Sequence, residues 1–111
     1  MYTKDFTIKR GETFYKDIYF KIDDKPYILN GYIAKAQVRP FLESKKLIAE
    51  LECTIYEEQG MVHLELSKEQ TNNIPAGTYY YDLCLSKDDI NIYYLQGKFI
   101  IKKYITEPPN V

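Results

Sequence analysis

The only histidine, His63, lies in the run Met61 to Leu66. An imidazole can bind a metal or carry a proton, but either task needs partners at set spacings. Val62, Leu64 and Leu66 take one phase of the run, so His63 and Glu65 fall on the other. No cysteine or acid stands at metal-ligand spacing from it, and we read it as a solvated cross-strand residue. Asp23-Asp24 and Asp88-Asp89 are acid pairs. Paired carboxylates can hold calcium or divide acid and base roles. Aspartate is also a turn residue that avoids strands, and the pairs sit at strand ends, which favours the turn. Cys53 is in phase with Leu51 and Ile55, facing in, while Cys84 is out of phase with Leu83 and Leu85, facing away. Opposite faces do not suit a disulfide, and two thiols without a framework fit a chain made in a reducing cytoplasm. There is no glycine-rich phosphate loop, nucleophile elbow or Cys–His pair. The reading is therefore non-enzymatic: no catalytic residues, no metal ligands and no cofactor.

The aromatic content is the one unusual chemistry: 12 Tyr, 5 Phe and no Trp. Tyrosine favours strands, and its rigid ring with a wet hydroxyl also makes good interface surface. Tyr15 and Tyr19 fall on the outer phase of one strand, Tyr80 on the outer phase of another, and Tyr93 or Tyr94 beside it. Aromatic outer faces suit contact with another protein or with sugar rings. The plainer alternative lays each ring over its own sheet. We take Tyr15, Tyr19, Tyr80 and Tyr93 as the interface candidates.

The elements that must carry these residues read as strands. Asp5 to Lys9 alternates Phe6 and Ile8 against Thr7 and Lys9, a short first strand. Thr13 to Ile22 is the second, with Phe14, Ile18 and Phe20 in phase. Lys16 interrupts that phase, consistent with a bulge, a strand end or a register switch. Asp23 to Pro26 is a turn, Tyr27-Ile28-Leu29 an apolar loop across the end of the core, and Asn30-Gly31 a second turn. Tyr32 to Arg39 is the third strand, with Ala34, Ala36 and Val38 inward, and Pro40 ends it. Leu47 to Ile55, the cleanest alternation, is the fourth, and Met61 to Leu66 is the fifth.

Ser67 and Gln70 form a capping box that opens one or two helical turns, stopped by Asn72, Asn73 and Pro75. Ile74 should plug the end of the core. Thr78 to Leu85 is the sixth strand, with Tyr79, Tyr81, Leu83 and Leu85 on one face. Ile92 to Lys103 is the seventh, with Gly97 marking a bulge. About seven strands spaced about ten residues apart predict an all-β, antiparallel two-sheet sandwich of immunoglobulin-like order. The first, second, fifth and fourth strands would form one sheet, the third, sixth and seventh the other. Residues 1–105 would be the domain. Residues 106–111, with two prolines, would be an extended tail.

A chain of 111 residues fits one domain, large enough to bury a core without a staple. Net charge is −1 with acids and bases interspersed, which argues against a nucleic-acid or membrane surface driven by charge. The first ten residues, MYTKDFTIKR, lack the apolar run of a signal peptide, and no segment approaches a membrane span.

Four stretches together resemble a family: DFTIKRGETF, LNGYIAKAQVR, LELSKEQTNNIPAGTYYYDLCLS and YYLQGKFIIK. In this order they are similar to small immunoglobulin-like virion domains of tailed phages, such as the N-terminal domain of baseplate upper proteins. They fall on Asp5 to Phe14, Leu29 to Arg39, Leu64 to Ser86 and Tyr93 to Lys102, nearly the whole chain. The resemblance implies a non-enzymatic virion component, made in the host bacterial cytoplasm. It would dock as an adaptor or decoration module on head, neck, tail or baseplate proteins, in several copies of a symmetric or homo-oligomeric assembly. The family has no catalytic residues to carry over. A second reading from the tyrosines is a carbohydrate-binding sandwich used in host-surface attachment.

Overall fold

The computed structural model describes residues 2–109. It is a mostly-β chain whose main sheet curls on itself. The strands are β1 (Tyr2–Thr3), β2 (Phe6–Lys9), β3 (Phe14–Tyr19), β4 (Lys21–Ile22), β5 (Lys25–Pro26), β6 (Ile33–Arg39), β7 (Ala49–Tyr56), β8 (Met61–Leu66), β9 (Gly77–Lys87) and β10 (Ile90–Lys102). One short helix, α1 (Lys68–Asn72), joins β8 to β9. The main sheet runs β1-β10-β9-β6-β7-β8-β3, with β2 also on β10, and β4 and β5 form a separate hairpin. The ten segments exceed the seven expected because β1 precedes the expected first strand, and because the second strand breaks at Phe20, after which β4 and β5 pair.

The curl is carried by β7. Leu51 and Ala49 pair with Ala36 and Val38 of β6, while Glu52 to Tyr56 pair with β8. One strand thus leaves one half of the sheet and enters the other, as strands do at the corners of packed sheets. β3, β8 and β7 are neighbours, and so are β6, β9 and β10, but β7 joins the two sets into one continuous sheet where two separate sheets were expected. The first strand is a correction: β2 lies parallel on β10, Phe6 opposite Phe99, not beside β3. Periodicity fixes the face of a strand, and a parallel partner more than ninety residues away leaves no local signal.

Period-two burial holds where it was clearest. Leu51, Leu64 and Leu83 are buried, as are Val62, Leu66, Tyr79, Tyr81 and Leu85. Phe6, Phe14, Tyr81 and Phe99 form an aromatic centre: Phe6 stacks on Tyr81 at 5.0 Å between centroids, and Phe14 meets Phe99 edge-on at 4.9 Å. Leu47, expected inward, precedes β7 and is exposed. Lys16 pairs regularly with Leu64, without bulge or register change, and is exposed on the inward phase of an edge strand.

A second correction concerns β10. The register shift lies between Tyr93 and Leu95, so Tyr94 is the extra residue, not Gly97. Gly97 answers a different demand: a Cβ there would stand 2.0 Å from the Lys4 carbonyl oxygen. The backbone between β1 and β2 dips onto β10 at that point. Lys4 N donates to Gln96 O at 2.9 Å, the Tyr81 hydroxyl donates to Lys4 O at 2.6 Å, and Lys98 N donates to Asp5 Oδ1 at 2.9 Å.

The capping box of α1 is formed: Gln70 N donates to Ser67 Oγ at 3.2 Å and Ser67 N to Gln70 Oε1 at 3.1 Å. Ile74 is buried as a plug. Thr71 ties the helix to the turn after β2: its buried Oγ1 donates to Glu12 O at 2.7 Å and accepts from Gly11 N at 3.1 Å. Thr71→Val keeps the shape but strands both backbone groups, and should lower unfolding free energy by about 1–3 kcal/mol. Ser67→Ala should cost about 1 kcal/mol. Urea titration of the two variants checks the order.

Arg10 N donates to Lys102 O at 2.8 Å, the chain bends at Ile105-Thr106, and Pro108 packs on Gly11, where a Cβ would stand 2.7 Å from Pro108 Cγ. Asn110 and Val111 of the expected tail lie outside the described residues.

Candidate functional site

A curled sheet with two free edges leaves a gap between them. Here β3 is one terminal strand and β1 the other, and an apolar cleft of about 500 Å³ is lined by residues of both. Ile18 and Tyr19 of β3, Tyr2 of β1, and Tyr94 and Leu95 of β10 line it, with Leu29 and Leu85 also among the lining residues. The bulge at Tyr94 re-aims that ring, as bulges commonly do beside sites. It meets Phe20 edge-on at 5.2 Å.

The outer wall is the β4–β5 hairpin. Asp23 and Asp24 form its turn with φ of 51° and 63°, the left-handed values that a two-residue type I′ turn requires. Phe20 N donates to Gly60 O at 2.7 Å and Tyr27 N to Phe20 O at 2.8 Å, which fixes the hairpin against the β7–β8 turn. Gly60 has φ 60°, and a Cβ there would stand 2.5 Å from Tyr27 O, so only glycine fits. Asp88 also adopts positive φ, 56°, in the turn between β9 and β10. Both acid pairs therefore serve as turn residues.

The four interface candidates are not brought together. Tyr15 and Tyr19 are exposed on β3, opposite Glu65 and Met61. Tyr19 rims the cleft, and Tyr15 does not. Tyr80 and Tyr93 lie on the outer face of the other half. Tyr93 faces Cys84, four residues along β9 from Tyr80, about 13 Å away. Tyr80 borders a small hollow of about 60 Å³ with Arg39, Asp82 and Gln96. There the Arg39 guanidinium donates to Gln37 Oε1 at 2.8 Å. Burial pushes the Asp82 carboxyl up, and Arg39 opposes the shift. Sequence reasoning missed Tyr2, Ile22 and Tyr94 of the cleft. Tyr94 was legible only as one of two adjacent tyrosines, because the bulge decides which faces where.

His63 is held between two acids. Its Nδ1 is 2.6 Å from Asp17 Oδ1 and its Nε2 3.1 Å from Glu65 Oε1. Glu65, two residues on, was legible as a same-face neighbour, whereas Asp17 arrives only through the β3–β8 pairing. These two hydrogen bonds, Asp17 first, raise the histidine's pKa. A folded-state value above the ordinary 6.5 means the stabilisation is fully present below about pH 6.5 and is lost as pH rises through the higher folded value. The groups are solvent-accessible, so the effect should stay below about 1 kcal/mol. Urea midpoints between pH 6 and 9 should fall with pH for the native chain, and this slope should vanish in His63→Gln.

The two cysteines are unpaired, and burial pushes the Cys53 thiol up to about 11, so it is a poor nucleophile at neutral pH. Among the described residues no group of three or more His, Cys, Asp or Glu could hold a metal ion, and no helix is long and apolar enough to cross a membrane. No protein-family model matches the chain, and no curated protein matches it.

Proposed function

We propose that this chain is a non-enzymatic structural component of a tailed-phage virion, an immunoglobulin-like β-sandwich that docks on other head, neck or tail proteins in several copies. The apolar cleft carries the docking part of this reading. Its rim leaves Tyr2 76%, Tyr19 58% and Ile22 56% exposed, a cost in water that a bound protein surface would remove. Support for the sandwich comes from the grouping of β3, β8 and β7 on one side and β6, β9 and β10 on the other. Support for the virion comes from the ordered resemblance of the four sequence stretches. Mass spectrometry of purified particles from a phage encoding the chain tests it; particles lacking the polypeptide would end the virion reading.

The outer-face hollow favours a second reading, host-glycan binding. There Tyr80 offers a ring beside Arg39, Asp82 and Gln96, the mixture of stacking surface and polar groups that a sugar needs. A glycan-array signal abolished by Tyr80→Ala would support it, and a blank array would remove it.

A further inference from the structure

The same chain carries an exposed apolar side chain of the kind such a cleft buries, three residues beyond the end of β10. Ile105 is 98% exposed, the most exposed large hydrophobic residue among those described. It stands at a bend between two anchors, the Arg10–Lys102 hydrogen bond and the contact of Pro108 with Gly11. Such a bend presents the isoleucine as a knob held clear of its own body. Glu107 follows two residues later. The cleft in turn is apolar, and Lys21 is the one charged side chain among the residues that line it.

The knob cannot enter its own cleft. Leu95 lines the cleft and Lys102 ends β10, so the strand separates the two by about 23 Å. We infer that the cleft takes the Ile105 bend of a second copy of this chain, with Glu107 of that copy set against Lys21. The contact joins two different surfaces, so it is head-to-tail: each copy offers one knob and one cleft, and repetition builds a ring or a filament. One isoleucine and one exposed ion pair make a weak contact, so association of the purified chain is expected at the high end of the concentration range. This goes beyond the virion reading and does not require it, since it is tested on the purified chain alone.

Sedimentation velocity over a wide concentration range is the test. The native chain should associate reversibly, and Ile105→Asp should weaken association roughly 10- to 100-fold. That side chain is in solvent, so the variant should fold normally, with unchanged circular dichroism and thermal midpoint. Lys21→Glu should also weaken association, and pairing it with Glu107→Lys in one chain should recover it, a rescue that general destabilisation cannot give. A chain that stays monomeric throughout overturns the inference and leaves the cleft to a different occupant. Self-association that survives Ile105→Asp overturns it as well, by placing the contact elsewhere. Loss of the virion reading by mass spectrometry would leave these results unchanged.

Discussion

Gly97→Ala is expected to strip the N-terminal strands from β10 and to lower unfolding free energy by about 3–5 kcal/mol. The added methyl would stand 2.0 Å from Lys4 O and 2.7 Å from Lys4 C, both backbone atoms with no flexible end to swing away. Relieving that overlap means moving the Lys4-Asp5 segment. Three hydrogen bonds then go together: Lys4 N to Gln96 O, Tyr81 hydroxyl to Lys4 O, and Lys98 N to Asp5 Oδ1. The Tyr81 phenol is the costly member. Burial, with a smaller contribution from Asp5, drives its pKa far above the ordinary value, so it stays a neutral donor. Hydrogen exchange should quicken at the Lys4 and Lys98 amides before the β7–β8 core is affected. Tyr81→Phe should reproduce a smaller part, about 1–2 kcal/mol, without the clash. A Gly97→Ala chain with native urea midpoint and native exchange would show that the close approach is not required.

Phe99→Ala should cost about 3–5 kcal/mol, the range for emptying a buried aromatic site. Phe99 is wholly buried and lies edge-on to Phe14 at 4.9 Å, with Tyr81 at 6.4 Å. It also sits opposite both Phe6 of β2 and Tyr79 of β9, so three strands converge on one ring. Neighbours on three rigid ladders cannot collapse into the cavity, which puts the expected loss in the upper part of the range. The urea midpoint should drop with little change in slope, and Phe99→Leu should recover more than half of the loss.

These two sites show how far the sequence reaches. Alternation located the inward faces of β8 and β9, because the period of two is a local property that one buried face enforces. It could not separate the two meanings of a glycine in a strand, a bulge or a close backbone neighbour, so Gly97 was given the role that belongs to Tyr94. It could not give β2 its partner, since facing and pairing are independent. The capping box was readable in full because all its atoms lie within four residues. The cleft was not, because its lining comes from β1, β3, the β4–β5 hairpin and β10, which only the curl brings into one place. Of the interface candidates, only Tyr19 meets that cleft, and its exposed companions Tyr2 and Ile22 lie in two-residue strands too short to show any period.

The lysine on the inward phase of β3 has a consequence for the protein at high concentration. A terminal strand with a bare row of amides and carbonyls is a template for fibril growth, and Phe14, Ile18 and the neighbouring tyrosines would otherwise make this one adhesive. Extending the sheet past β3 would trap the Lys16 ammonium in a dry seam, where no acid of the incoming strand is assured. A second copy is therefore kept from adding a strand at this edge, and replacing the ammonium with valine should shorten the lag time of thioflavin-positive aggregation.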